Sequence, residues 1–256
     1  ATLSTDCKVF QNQTPVQVLR AVLNDYIFPV EWRLIERYPV RDYLVQYNET
    51  DYQFLCRLMQ AWGINHHFEH TNGVHLLVLS DHNSAFTPLQ PHEPGSSYRS
   101  IAYYPPGHKI DEEYIHAFAP VDRLTAGSYE SREYDHTRPR AHLAVSERAA
   151  RPTGQADQAV YLWRGNQTIG DGEAAVSLPA SDWSQPNRGA DREANQTEPQ
   201  GRHLARLRMD ALRQVGHRGK GRGHVRGIAA GHSFRLREHP QTAANIDYLT
   251  LATDLV

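Results

Sequence analysis

Residues 49–81 constrain the fold more than any other part of the chain. Thr50 is a typical N-cap residue, and a glutamine three positions later completes a capping box. Apolar residues then recur at helical spacing as far as Gly63, which predicts a helix that ends in a left-handed C-cap. Asn72 and Gly73 lie between two alternating apolar runs, a pattern typical of a two-residue β-hairpin turn. The stretch therefore predicts one capped helix followed directly by one tight hairpin.

The composition is that of an ordinary globular protein, with 22% charged and 39% hydrophobic residues. No apolar run approaches the roughly 20 residues that a membrane-spanning helix requires, and no secretory signal pattern is present. Cys7 and Cys56 are the two cysteines, too few for a disulfide framework. This usage favours a reducing compartment during folding.

A stretch rich in proline, glycine and serine at residues 88–97 predicts a boundary between two domains. We expect residues 1–97 to form a helix and β-hairpin module. Residues 98–256 should form an antiparallel β-barrel, because five short strand-like runs follow at hairpin-like intervals. Within that domain, residues of about 150–201 lose periodicity, which predicts a long loop or insertion. The predicted fold class is α+β, mainly β.

Fifteen histidines raise the question of a metal site. A two-residue hairpin loop places His70 directly opposite His75, with Cβ atoms about 4.5–5.5 Å apart. His66 lies four residues further along the same strand, roughly 13 Å away at about 3.3 Å per residue, and cannot complete the site. Zinc sites require three or four ligands, so a stacked or hydrogen-bonded histidine pair is favoured. We predict no metal centre and keep His70 and His75 as a weak candidate pair.

Positive charge is concentrated in residues 202–237, which contain ten arginine or lysine residues and one acid. Within this stretch, the glycines and cations of the segment at residues 217–227 do not match the GxxxxGK[ST] phosphate loop, and the interleaved aromatics of a nucleic-acid patch are absent. Two alternatives stay open. The segment is a solvated helix end and turn, or it faces an acidic partner or a neighbouring subunit. For the interface, the candidate residues are Arg213, Arg218, Lys220, Arg222 and Arg226.

Motifs for catalysis are missing from the sequence. There is no GxSxG elbow and no GxGxxG after a strand, and neither cysteine has the context of a nucleophile. We therefore predict that the chain is not an enzyme, has no cofactor and does not bind nucleic acid. A binding or structural role is favoured.

Six blocks of the sequence follow one another in a recognisable order: KVFQNQTPVQVLRAVLNDY, RYPVRDYLVQYNETDYQFLCRLMQAWGI, FEHTNGVHLLVLSD, SYESREYDHTRPRAHLAV, GRHLARLRMDALR and RGIAAGHSFRLREHPQTAANIDYLTLATD. Together they resemble the VgrG family, the trimeric spike proteins of type VI secretion, which are related to the tail hub and late-control proteins of contractile phages. These blocks cover most of residues 8–254 and are interrupted mainly at 150–201. Their order and spacing together are highly specific, although no single block is decisive.

The resemblance implies a phage tail hub-like fold and a mechanical role. In the family, three hub subunits present a pseudo-sixfold ring to the hexameric Hcp tube, and the sheath drives tube and spike through a target membrane. We therefore expect a homotrimer in the full-length protein, with the Hcp tube as partner and a tip protein or effector bound through the C-terminal part. The membrane should be contacted only as part of the assembled spike. The expected location is the bacterial cytoplasm before firing, and afterwards the medium or a target cell.

The resemblance also implies that this chain is an excerpt, without the first barrel and the C-terminal needle of the family. Alone, it is expected to be a monomer or weak oligomer. The closest alternative function is the hub of a phage or phage-like contractile tail. An alternative of another class is an effector-bearing hydrolase, which would require chemistry in the loop at about 150–201 or in the missing termini.

Overall fold

The computed structural model describes residues 3–71, 73–88, 99–107, 112–123, 125, 128–132, 144–148, 175–177 and 198–255. The described chain is mostly β with some helices, which confirms the predicted class at that level. The elements are β1 (Thr5–Gln13), α1 (Pro15–Leu23), β2 (Val30–Arg33), β3 (Arg41–Thr50), α2 (Asp51–Trp62), β4 (Asn65–Thr71), β5 (Val74–Ser80), β6 (Ser100–Tyr103), β7 (Tyr114–Asp122), β8 (Ser128–Arg132), β9 (Ala144–Arg148), β10 (Ala175–Ser177), α3 (Glu198–Arg213), β11 (His217–Gly223), β12 (Ser233–Arg237) and β13 (Asp247–Leu249).

The chain divides into two compact units, each assembled from three separate segments. Unit 1 comprises residues 1–27, 36–64 and 123–216, and unit 2 comprises residues 28–35, 65–122 and 217–256. Residues 89–98, which include most of the predicted boundary, lie outside the described residues, and the division near residue 97 stays a prediction. None of the described helices is long and apolar enough to cross a membrane.

In unit 1, two capped helices pack on an antiparallel ribbon formed by β1 and β3. Thr50 and Gln53 form the predicted capping box of α2, and the helix ends at Gly63 with a left-handed φ of 70°. The ring of Phe54, fully buried, stacks on Phe10 at 5.6 Å between centroids. The third helix, α3, packs against β8 and β9. Burial of the apolar helix faces supplies the core of this unit.

The predicted hairpin forms the first sheet of unit 2. β4 and β5 pair antiparallel with His70 opposite His75, and β2 adds to β5 in parallel. Gly73 takes a φ of 78°, which a tight two-residue turn requires. The partner turn residue, Asn72, lies outside the described residues. The predicted helix and the predicted hairpin therefore both exist, but the boundary between the two units falls between them, after Ile64.

The second sheet of unit 2 has the order β11-β7-β6-β12-β13. An entirely antiparallel sheet was the wrong prediction here, because β6 pairs in parallel with both β7 and β12. Hairpin-like spacing constrains only strands joined by tight turns, whereas a parallel partner can come from far along the chain. The core of this sheet is made of Ile101, Ile115, Val225, Phe234, Leu236 and Ala244.

The predicted loop at about 150–201 lies mostly outside the described residues. Residues 175–177 form the short strand β10, which pairs in parallel with β8. The helix α3 follows this region, and it begins at Glu198, inside the predicted loop. The role of the remaining loop residues stays unassigned.

Candidate interaction surface

The basic segment at residues 217–223 is a strand and not the helix end and turn that one alternative predicted. β11 pairs antiparallel with β7, from His217 opposite Asp122 to Gly223 opposite Ile115. Glycine is normally unfavourable in a strand because it lacks a side chain to pack and loses much backbone entropy. A tertiary contact explains why glycine is used here.

That contact is made by the ring of Phe118, which lies directly over Gly219 and Gly221 of β11. A Cβ atom at Gly219 would stand 2.3 Å from this ring, and one at Gly221 would stand 3.2 Å from it. At Gly223, an added Cβ would meet the backbone of Tyr114 at 2.4 Å. The glycines therefore allow an aromatic ring and a neighbouring strand to approach more closely than any side chain permits.

Alternation along the strand separates the glycines from the cations. Successive side chains of a strand point to opposite faces, so Arg218, Lys220 and Arg222 share the face opposite the one that Phe118 covers. All three are exposed. Positions two residues apart are roughly 6.6–6.8 Å apart along a strand. The result is a straight row of three evenly spaced positive charges, which we term the cation row.

Small apolar residues of β7 lie beside the cation row. The register places Val121 opposite Arg218, Ala119 opposite Lys220, and Ala117 opposite Arg222. These three β7 residues are exposed. The outward face of the two strands therefore carries small side chains on β7 and is accessible to solvent, with the cation row along its β11 side.

Carboxylates of described residues contact the start of β11 and the chain just beyond its end. Nδ1 of His217 contacts the Asp122 carboxylate, and beyond the strand Nε of Arg226 lies 3.0 Å from Oε1 of Glu113. Within the described part of the chain, no ion pair joins a carboxylate to Lys220 or Arg222. Two adjacent members of the cation row are thus left for a partner from outside the described chain.

The structure brings together only part of the predicted interface set. Arg218, Lys220 and Arg222 share one face, while Arg226 lies past the end of the strand, against Glu113. The fifth residue, Arg213, is in the last turn of α3 and belongs to unit 1. The role of all five residues in an interface stays a prediction.

The sequence alone did not reveal that Phe118 helps to form this surface. The period of two in the segment RGKGRG, with cations and glycines alternating, is a strand signal that could have been used. It is obscured because glycine ordinarily indicates turns, and because Phe118 lies about a hundred residues earlier in the chain.

The histidine pair of the hairpin has the geometry that the turn predicts. Nδ1 of His70 and Nδ1 of His75 are 2.5 Å apart, and the ring centroids are 4.7 Å apart in an edge-to-face arrangement. Phe68 stacks on His70 from the same strand. Among the described residues, no group of three or more metal-binding side chains comes together. The absence of a metal centre, with His70 and His75 as a weak candidate pair, stays a prediction.

A polar network elsewhere in unit 2 has a structural role. Arg33 binds Glu69 through two parallel hydrogen bonds of 2.7 and 3.1 Å, and its Nη1 also donates to the carbonyl of Ala85. The hydrogen bond from Arg33 lowers the pKa of Glu69. This network joins β2 to β4 and to the turn after β5.

A second network links parts of unit 1. The hydroxyl of Tyr26 donates to the Asp51 carboxylate at 2.6 Å, which raises the pKa of Tyr26 to about 12. Gln46, fully buried, donates to the same carboxylate at 2.8 Å. These bonds hold the first turn of α2 against the chain segment that follows α1.

The comparison with protein families covers the whole chain. The family described as phage tail baseplate hub (GPD) matches residues 1–256. The chain belongs to this hub family. The resemblance to type VI spike proteins is confirmed by curated relatives from Pseudomonas aeruginosa. VgrG1a is 32% identical over 99% of this chain, and VgrG1c is 31% identical over 99%.

A solved structure supports the fold of this hub chain. It is described as the E. coli c3393 protein, a component of the type VI secretion system with structural similarity to T4 bacteriophage tail proteins gp27 and gp5. The match has a TM-score of 0.51 at 14% identity and covers 95% of this chain and 44% of that one. The hub chain spans 34% of the length of VgrG1a and 30% of VgrG1c, so it corresponds to about a third of these relatives.

Proposed function

We propose that this hub chain is a structural part of a type VI secretion spike and not an enzyme. The match to the baseplate hub family over residues 1–256 carries this proposal. The P. aeruginosa relatives, which are named as type VI secretion system spike proteins, point to secretion in particular.

The proposed assembly is a homotrimer of the full-length protein that docks on the Hcp tube and is delivered with it through a target membrane. Closure of the β-sheets into barrels belongs to the same proposal, as does a tip protein or effector bound outside this chain. Before firing the protein would reside in the bacterial cytoplasm. The spike names of the relatives support this assembly, because a spike must match the symmetry of the tube that carries it.

An enzymatic role is disfavoured by what the toxin relative shares with this chain. The actin cross-linking toxin VgrG1 of Vibrio cholerae is 25% identical over 98% of the hub chain, but that match covers only 20% of the toxin. A hub region can therefore be common to spikes with very different total lengths. The family description itself also favours one alternative, the hub of a phage or phage-like contractile tail.

The proposal is tested in the bacterium that carries the full-length gene. Deletion of the gene should abolish Hcp release into the medium, and the full-length copy should restore it. Pull-down of the full-length protein should recover Hcp, and light scattering should show a trimer. Unchanged Hcp release together with no Hcp complex would refute the secretion role, and recovery of phage tube proteins instead would establish the tail alternative.

A further inference from the structure

We infer that β11 is a docking edge for an extended acidic segment of a partner protein, which joins the sheet as an additional strand. The inference goes beyond the hub function and applies where this sheet stays open at β11, since closure into a barrel would pair that edge. Two observations carry it: the position of β11 in the sheet, and the cation row.

β11 is the terminal strand of the order β11-β7-β6-β12-β13, and among the described strands it pairs only with β7. An edge strand offers backbone N–H and C=O groups along its outer side. Extended peptides add to such edges through main-chain hydrogen bonds, and side-chain contacts then provide specificity.

The cation row selects the chemistry of the partner. Glutamate or aspartate at alternate positions of an extended segment would recur at the same roughly 6.6–6.8 Å spacing as Arg218, Lys220 and Arg222. Facing pairs of opposite charge on adjacent strands are favourable, whereas like charges directly opposite one another are unfavourable. The exposed charges therefore determine partner choice and register more than affinity.

A second copy of the chain, a nucleic acid and an anionic membrane each fit this edge less well than an acidic strand. The β11 edge of a second copy would place like charges opposite one another. The outward neighbours of the cation row are Ala117, Ala119 and Val121, so this face lacks the aromatic rings on which single-stranded nucleic acids stack. Neither a nucleic acid nor an anionic membrane would pair with the backbone edge. An acidic strand satisfies both the charges and the edge.

The test uses the 256-residue chain and a synthetic peptide in which glutamate alternates with threonine. One control peptide has the same composition with all glutamates together, and a second is N-methylated on alternate residues to block strand pairing. The test variant is R218E/K220E/R222E. The matched control, R20E/R99E/R206E, changes the net charge equally at three exposed arginines elsewhere. Circular dichroism and thermal unfolding verify that both variants fold.

We expect the alternating peptide to bind, and R218E/K220E/R222E to weaken binding at least tenfold while the control variant changes it less than twofold. Hydrogen exchange of the unmodified chain should slow within residues 217–223 when the peptide is added, a readout that does not depend on the variant folding. Equal binding of the N-methylated peptide would overturn the inference, because charge alone would then explain the contact. Binding of oligonucleotide or anionic vesicles in preference to the peptide would overturn it as well.

Discussion

Replacement of Gly219 by alanine tests the packing of β11 directly. The added Cβ would lie 2.3 Å from the Phe118 ring, so the two groups must separate by more than 1 Å to reach an ordinary contact of about 3.5 Å. Overpacking of this kind costs about 1–3 kcal/mol. Alanine also reduces the entropy of the unfolded chain, which returns about 0.4–1 kcal/mol. We expect a net loss of about 1–2 kcal/mol in the free energy of unfolding.

In a Phe118→Ala background, Gly219→Ala should no longer lower the free energy of unfolding. Without the ring, the alanine Cβ occupies vacated space, and Gly219→Ala should be neutral or stabilising by up to about 1 kcal/mol. The coupling energy between the two positions should then be about 2 kcal/mol, within the range seen for residues in contact. Urea unfolding followed by circular dichroism measures all four proteins of this cycle.

Two controls keep the result specific. Gly221→Ala, with its Cβ 3.2 Å from the same ring, should cost less, because a shift of a few tenths of an ångström relieves the contact. Lys220→Ala on the opposite face should change stability by less than about 0.5 kcal/mol. The reasoning is refuted if Gly219→Ala has the same effect with and without Phe118. That result would show that the Phe118 ring is not the reason for glycine at this position.

Three further predictions concern the capped helix, pH and metal. In urea unfolding, Thr50→Ala should lose about 1 kcal/mol of stability, whereas Thr50→Ser should lose little. Only the alanine removes the hydroxyl that accepts the Gln53 N–H at 3.2 Å. Equal losses in the two variants would contradict a capping role. Since the pKa of Glu69 is lowered in the folded state, its carboxylate should stabilise the folded protein at neutral pH. This contribution should be lost as the pH falls below the ordinary glutamate pKa of about 4.3. The stabilities of wild type and Glu69→Gln should therefore converge at low pH. Zinc should leave the melting temperature of metal-stripped protein unchanged, because His70 and His75 supply two ligands where a site needs three or four; a rise that His70→Ala removes would instead establish a metal site.

Local chemistry explains why part of the fold was predictable. The capping box at Thr50, the C-cap at Gly63 and the turn at Gly73 each depend on hydrogen bonds and backbone angles within a few residues. The facing of His70 and His75 follows from the turn alone, since a two-residue loop determines the register of both strands. These features appear where the pattern placed them.

The candidate surface was only partly predictable. The excess of positive charge was visible in composition, and three of the five predicted residues share one face. Their alignment depends on β11 being a strand, and that depends on β7 being its neighbour and on Phe118 covering its glycines. Propensity favoured a turn, and tertiary packing overrode it.

By itself, the sequence determined the capped helix, the hairpin and its histidine register, a mainly β chain and, through its ordered blocks, the hub family. Only the tertiary structure decided that β6 has parallel neighbours, that the unit boundary follows Ile64, and that the basic glycine-rich segment is an edge strand. The physical reason is the distance along the sequence over which the stabilising interactions act. Caps and turns are stabilised by groups that are close in sequence, whereas strand partners are chosen by burial among residues far apart, such as Phe118 and Gly219.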